Sequence, residues 1–129
     1  MVIDASALIA VLEKEPEAES FLKIMYEADI LKISTVTYTE TSLVLCSRYG
    51  DMGLIKLDNL LDGLAIEFIA FDTTQAKLTR TAWQQYGKGF HPAKLNFGDC
   101  CSYAAAKYLN IPLIFKSNDF SKTDIKIAR

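Results

Sequence analysis

The chain alternates short apolar runs with longer amphipathic segments, and this alternation most limits the folds open to it. The runs with the length and composition of strands are residues 1–3, 31–34, 66–71, 112–115 and 125–127. Segments with apolar residues every three or four positions separate them, at 6–13, 17–27, 35–50, 52–64, 75–86 and 98–109. Strands alternating with helices predict a three-layer α/β/α domain with right-handed crossovers, whose central, mainly parallel sheet has four to five strands.

The length of 129 residues predicts one domain, spanning 1–129. No apolar run approaches the length of a membrane span, and the chain opens on a strand rather than a basic, signal-like region. We therefore expect a cytoplasmic protein that does not contact a membrane. Cys46, Cys100 and Cys101 lack the spacing of a zinc site, so we expect them to be reduced and largely core-filling.

The net charge of -2 is unevenly distributed along the chain. Residues 1–85 carry seven Lys and Arg and thirteen Asp and Glu. Residues 86–129 carry seven Lys and Arg but only three Asp and Glu, so this last third is basic. Such a basic stretch can bind phosphates in an acidic protein, because salt limits each charge to a reach of about 8 Å. An accidental spread of solubilising charge explains the asymmetry equally well.

Four acidic residues are predicted at the edge of the sheet where the carboxyl ends of the strands meet. Asp4 directly follows the first strand, and Asp119 follows the strand that ends at Phe115. Glu40 and Asp99 fall in the first turns of helices that follow a strand or a loop. Clustered carboxylates repel one another unless a cation neutralises them, and an all-oxygen set favours Mg²⁺ or Mn²⁺ over zinc. The cluster therefore predicts a metal site that acts on a phosphate ester.

Each acid also has a purely structural explanation. Thr37-x-x-Glu40 and Asn96-x-x-Asp99 both match a capping pattern, in which the acid bonds back to the start of its helix. Asp4 could cap the helix that follows it, and Asp119 could be an ordinary turn residue. Only the coincidence of all four at one sheet edge favours a functional site.

Several segments, taken in order, carry a resemblance to a known family. They are Met1-Val2-Ile3-Asp4-Ala5-Ser6, Thr37-x-x-Glu40, Leu95-Asn96-Phe97-Gly98-Asp99-Cys100, and Phe115-Lys116-Ser117-Asn118-Asp119-Phe120 through Thr123-Asp124-Ile125. The whole chain resembles the PIN-domain ribonucleases, specifically the VapC toxins of bacterial toxin-antitoxin modules. Residues 86–93, with 95–99, resemble one VapC branch. The chain departs from the family at Ser117, where glycine is frequent, and this bears on the turn that presents Asp119.

The resemblance implies a role for each acid and for three neighbours. Asp4, Glu40, Asp99 and Asp119 match the four catalytic acids, which hold one or two Mg²⁺ or Mn²⁺ ions. Ser6 matches a hydroxyl position beside the first acid, although it could simply cap the following helix. Asn118 and Asp124 are candidates for orienting the acids, with surface placement the alternative for Asp124. The metals would activate a water for in-line attack on the RNA phosphodiester, leaving 5′-phosphate and 3′-hydroxyl ends.

Basic side chains flank the segments that lead to Asp99 and Asp119. The candidates for holding RNA phosphates are Lys88, His91, Lys94 and Lys116. Phe90 or Tyr86 is available for stacking on a base. A solvated loop around a packed aromatic is the alternative.

The sequence and the resemblance together predict a metal-dependent endoribonuclease toxin. By resemblance, its partners are RNA, a VapB-type antitoxin lying over apolar grooves of the early helices, and a second copy in a homodimer. One alternative is a PIN-like binding module without catalysis, which the four intact acids disfavour. The other is a phosphatase of the haloacid dehalogenase type, which needs a second Asp where this chain has Ser6.

Overall fold

The computed structural model describes residues 1–116 and 118–128. Its strands are β1 (Val2–Ile3), β2 (Lys32–Ser34), β3 (Glu67–Ile69) and β4 (Leu113–Ile114). Its helices are α1 (Ala5–Leu12), α2 (Ala18–Glu27), α3 (Thr35–Tyr49), α4 (Asp51–Gly63), α5 (Thr73–Tyr86) and α6 (Phe97–Leu109), followed by the 3-10 helix Asp119–Lys122. All four strands are parallel, in the order β3-β2-β1-β4. The predicted α/β fold with its helix-covered parallel sheet is confirmed.

The central strand β1 lies between β2 and β4, and both its residues are fully buried. Val2 pairs with Lys32 on one side and Leu113 on the other. The amide of Asp4 continues this ladder by donating to the carbonyl of Ile114 at 3.0 Å. Asp4 is therefore fixed at the carboxyl end of the central strand before its own side chain makes any contact.

The alternation of side chains along β1 divides the core into two clusters, one on each face of the sheet. Ile3 packs with residues of α1 to α4, whereas Val2 packs with residues of α5, α6 and the 3-10 helix. Phe120 belongs to the second cluster and has no exposed surface. Its burial holds the start of the 3-10 helix, and hence Asp119, against the sheet.

Helices α5 and α6 pack against each other and are connected by the loop 87–96. Next to the loop, the amide of Leu95 donates to Tyr86 O and the amide of Lys88 donates to Leu95 O, both at 2.9 Å. Further along both helices, the side chains of Thr79 and Cys101 are hydrogen-bonded to each other. The loop is thus held beside the first turn of α6.

Two expectations from the sequence are wrong in detail. Residues 125–127 do not form a regular strand: they contribute one isolated parallel bridge, between Leu113 and Ile127, beside β4. Cys100 and Cys101 are buried as expected, but Cys46 is exposed because it lies on the outer face of α3. In the part of the chain that the structure describes, no helix combines the length and apolar character needed to cross a membrane.

The burial of Phe120 predicts a large stability loss on truncation. Phe120→Ala should lower the free energy of unfolding in urea by about 3–5 kcal/mol, because it removes buried surface and leaves a cavity. Tyr108→Ala is the matched control, since Tyr108 is exposed and should change stability by only about 0.5 kcal/mol. Equal losses in the two variants would contradict this placement of the 3-10 helix.

Candidate active site

Asp4 is the most buried of the four acids, at 4% exposure. Its Oδ1 accepts a hydrogen bond from Ser102 Oγ at 2.5 Å, and its Oδ2 accepts from Ser6 Oγ at 2.6 Å. Oδ2 also accepts a hydrogen bond from Ser6 N at 3.1 Å. Asp4 therefore caps α1, as predicted from its position just before the helix. These bonds give the carboxylate one orientation while it remains at the sheet edge.

Glu40 reaches the same edge from α3. It lies well inside the helix, which begins at Thr35 with Ser34 as its N-cap, so the capping explanation for Glu40 is wrong. Burial, and secondarily the charge of Asp4, raises the pKa of Glu40. A Cβ at Gly98 would lie only 2.1 Å from Glu40 Oε2, so the carboxyl group rests directly on the first turn of α6.

Asp99 lies in that first turn and forms a capping box with Asn96. The amide of Asp99 donates to Asn96 Oδ1 at 2.9 Å, and the amide of Asn96 donates to Asp99 Oδ2 at 3.0 Å. The capping explanation is therefore correct for this residue. Burial raises the pKa of Asp99 to about 7, with the hydrogen bond from Asn96 opposing the rise and the nearby carboxylates Asp4, Asp119 and Glu40 adding to it.

Asp119 begins the 3-10 helix after β4 and is half-buried. Its charge acts on Asp99 together with those of Asp4 and Glu40, so the structure brings all four predicted acids into one electrostatically coupled cluster. Ser117, the departure noted in the sequence, lies outside the described residues.

The donor chemistry of this cluster suits a hard divalent cation. Asp4, Glu40 and Asp99 form no ion pair with any residue in 1–116 or 118–128, and all their donor atoms are oxygen. Within the same ranges, no three His, Cys, Asp or Glu side chains are arranged so that they could already hold a metal ion.

The neighbours expected to orient the acids behave differently from one another. Ser6 bonds to Asp4 as expected, and its Oγ also accepts from the amide of Lys116 at 3.0 Å, which ties the segment after β4 to Asp4. Asn118 is exposed, and its side chain does not cap the 3-10 helix. Asp124 instead accepts hydrogen bonds from the side chains of Tyr103, Lys107 and Tyr86. Its observed role is to anchor the last segment of the chain to α5 and α6 rather than to orient the acids.

The four basic residues predicted to hold RNA phosphates fall into two groups: two are exposed and unpaired among the described residues, and two are engaged by other parts of the protein. Lys88 and Lys94 are exposed and form no ion pair with a described residue. Lys116 is ion-paired through its Nζ with Glu15 and Glu17, which neutralises much of its charge. Nδ1 of His91 accepts from the amide of Ala93 at 3.0 Å, so this ring shapes the loop.

Two residues of the site were missed in the sequence. Ser102 supplies the buried hydrogen bond to Asp4, and Gly98 gives Glu40 its space. Ser102 stands three residues after Asp99 and so shares its face of α6, which is the one local signal that could have found it.

The fold and the acid cluster define an α/β domain of the nuclease type, and comparison with known proteins identifies the family. The sequence model of the PIN domain matches residues 1–126. Ribonuclease VapC30 of Mycobacterium tuberculosis is 48% identical over 126 residues, covering 97% of this chain and 95% of that protein.

Solved structures with little sequence identity share the fold. VapC20 of Mycobacterium tuberculosis, titled a sarcin-ricin loop cleaving toxin, superposes with a TM-score of 0.76 at 15% identity, covering 99% of this chain and 98% of its own. A toxin-antitoxin complex from Klebsiella pneumoniae gives a TM-score of 0.70 at 19% identity, covering 95% and 92%. The chain therefore belongs to the PIN-domain family, in its branch of VapC ribonucleases.

The raised pKa of Asp99 predicts how stability depends on pH. With its pKa raised to about 7, folded Asp99 keeps its proton up to about that pH, whereas the unfolded residue loses it near the ordinary aspartate pKa of 3.8. The folded state thus binds more protons between these values, so the free energy of unfolding should fall as pH rises from about 4 to about 7. Asp99→Asn retains an acceptor for Asn96 but cannot ionise. In a metal-free buffer its free energy of unfolding should therefore fall less between about pH 4 and about pH 7. Above about pH 7 the variant should be more stable than wild type.

Urea unfolding in a chelating buffer at several pH values measures both effects. The matched control is Asp29→Asn, which changes an exposed acid on the surface and should follow the wild-type profile. Parallel profiles for wild type and Asp99→Asn would contradict the electrostatic coupling described above.

Proposed function

We propose that this protein is a metal-dependent endoribonuclease toxin that hydrolyses RNA phosphodiester bonds with water as the nucleophile. The observation that carries the proposal is the coupled cluster of four acids at the carboxyl edge of the sheet, three of which have no cationic partner among the described residues. The relative that is 48% identical, VapC30, is a ribonuclease, and this supports RNA as the substrate. A binding module without catalysis is disfavoured, because capping accounts for the positions of Asp4 and Asp99 but not for the burial of the Glu40 carboxyl group beside them.

In this proposal the four acids, Asp4, Glu40, Asp99 and Asp119, are catalytic and hold Mg²⁺ or Mn²⁺. The bound cation would supply Lewis acidity, both for activating water and for neutralising charge on the phosphate. The rest of the protein holds these acidic side chains in position. Ser6 and Ser102 keep both oxygens of Asp4 in place, and Gly98 allows Glu40 to rest against α6.

Attack by the ribose 2′-hydroxyl is the competing route, and the chain is poorly equipped for it. That route relies on side chains that exchange protons at the scissile phosphate, for which histidine is the usual choice. In the one histidine, His91, Nδ1 accepts a hydrogen bond from the loop backbone. Its ring packs against that of Tyr86, with the ring centroids 5.0 Å apart. In the proposed route, water forms the new bond to phosphorus and the P–O3′ bond breaks, which leaves 5′-phosphate and 3′-hydroxyl ends.

We further propose that a VapB-type antitoxin restrains this activity. The structural neighbour from Klebsiella pneumoniae is a toxin-antitoxin complex, which supports a partner of this kind. A groove of about 360 Å³ between α1, α3 and α4 offers it a partly apolar binding surface, in which Leu12, Leu45, Tyr49 and Met52 lie beside the charged Glu13, Lys14 and Lys56. Exposed Met52 and Ile55 extend this apolar surface, on which a homodimer contact would also fit. We place its action in the cytoplasm, where RNA is accessible and free cysteines stay reduced.

Substitution of the acids tests the proposed chemistry. Asp4→Asn and Asp99→Asn should each lower the rate of cleavage of folded RNA in Mg²⁺ or Mn²⁺ by at least about 100-fold, because each removes a charged oxygen ligand. Asp29→Asn should cleave like wild type. Cleavage that survives both site substitutions, or that persists in a chelator, would refute the proposal.

The identity of the nucleophile can be tested separately with a modified substrate. A 2′-deoxy sugar at the mapped cut site should leave cleavage largely intact, because water supplies the attacking oxygen. End analysis of the products should show a 5′-phosphate and a 3′-hydroxyl. Loss of cleavage with the deoxy substrate would instead assign the attack to the 2′-hydroxyl.

A further inference from the structure

The end of α5 and the following loop expose two aromatic rings to solvent. Phe90 is 65% exposed and Trp83 is 37% exposed. The rings meet edge to face, with centroids 6.1 Å apart and an interplanar angle of 84°. Tyr86 is engaged elsewhere, because it packs on His91 and Tyr103. Trp83 and Phe90 are therefore the side chains of this region that keep free aromatic surface.

Positive charge surrounds this pair without any acidic neighbour along the chain. Residues 73–98 contain no Asp or Glu, although the protein as a whole has a net charge of -2. The permanent cations of this stretch, all exposed and without an ion pair to any residue the structure describes, are Lys77, Arg80, Lys88 and Lys94. Arg80 precedes Trp83 by three residues and so lies on the same face of α5. The loop residues Lys88, Phe90 and Lys94 line one shallow pocket. We call Trp83, Phe90, Arg80, Lys88 and Lys94 the aromatic-cationic surface.

This surface lies at the end of α6 that carries the acid cluster. The hydrogen bonds between Leu95 and Tyr86 and between Lys88 and Leu95 hold the loop beside the first turn of α6. Phe97, which begins α6 and is also exposed, lines the same small pocket as Glu40 and Gly98. A polymer crossing the acids could therefore continue onto the aromatic-cationic surface.

We infer that Trp83 and Phe90 form a stacking surface for an unpaired base of the RNA substrate, while Lys88 and Lys94 hold the adjoining phosphates. This inference rests on the proposed ribonuclease function and defines its substrate class as single-stranded or looped RNA. Aromatic side chains bind bases by their faces, which a paired A-form helix keeps stacked and inaccessible. A polyanion also satisfies the unpaired cations, which an apolar protein partner would leave desolvated.

A second copy of the chain fits this surface less well than RNA does. In a twofold contact the same patch meets itself, so Arg80, Lys88 and Lys94 would face their own copies. Like charges brought together in this way are repulsive.

The stacking role is tested by the affinity of RNA in a chelating buffer, where cleavage does not interfere. The probes are a fluorescent single-stranded RNA of about 10 nucleotides, within the length bound by one such surface, and the corresponding duplex. Phe90→Ala should weaken single-strand binding by roughly 5- to 100-fold, the range expected for one lost stacking contact, and leave duplex binding unchanged. Tyr26→Ala is the matched control, because Tyr26 is 66% exposed on α2, and it should bind as wild type.

Trp83 provides a direct signal, since it is the only tryptophan in the chain. Its fluorescence should be quenched when single-stranded RNA binds and remain unchanged with the duplex. For the phosphate contacts, replacing Lys88 and Lys94 by Gln should reduce the salt dependence of single-strand binding by roughly 0.7 in logarithmic slope per contact, whereas Lys23→Gln should leave it unchanged.

Three results would overturn the inference: unchanged RNA affinity in Phe90→Ala, equal losses for single strand and duplex, or a change in oligomeric state that assigns the surface to a subunit contact. The proposed function fails by a different measurement, the absence of metal-dependent cleavage by wild type. Stacking through Phe90 without cleavage would support this inference and refute the proposed catalytic activity.

Discussion

The hydrogen bond from Ser102 to Asp4 is the contact on which the site depends most. It joins two residues 98 positions apart in the chain, and both are buried. Asp4 is fixed at the end of the central strand and Ser102 lies one turn beyond Asp99, so this bond sets the distance between β1 and the start of α6. Gly98, in that same turn, receives Glu40 from α3. This buried bond thus links the acid of β1 to the part of α6 that carries Asp99 and contacts Glu40.

The acid cluster is held together by local structure that opposes its electrostatic repulsion. Asp4 caps α1, and Asp99 completes a capping box with Asn96, so each carboxylate accepts hydrogen bonds that stabilise its own helix. These bonds partly offset the desolvation and mutual repulsion that raise the pKa of Asp99 to about 7. Capping and membership of the site are therefore not competing roles for these residues. The residual repulsion is what a divalent cation would relieve.

Periodicity and strand ends were sufficient to predict the architecture and the position of the four acids. A buried run that stops at Asp4 and a small-residue helix that starts after Asn96 are local signals, which is why the sequence reveals them. Contacts between side chains distant in the chain are not visible in this way. Lys116 was a candidate phosphate ligand, yet it pairs with Glu15 and Glu17 at the turn before α2. Asp124 was a candidate for orienting the acids, with surface placement as the alternative, and it lies at the surface, where it accepts hydrogen bonds from Tyr103 and Lys107 of α6.

Catalysis and selection of RNA would then reside in structurally different parts of the molecule. The acids stand at the end of the central strand and on helices packed against the core, where a small displacement would disturb several elements at once. In the aromatic-cationic surface, Lys88, Phe90 and Lys94 lie on a loop, and their exposed side chains contribute little to the core. Substitutions in that loop can change which RNA is held without moving Asp4 or Asp99.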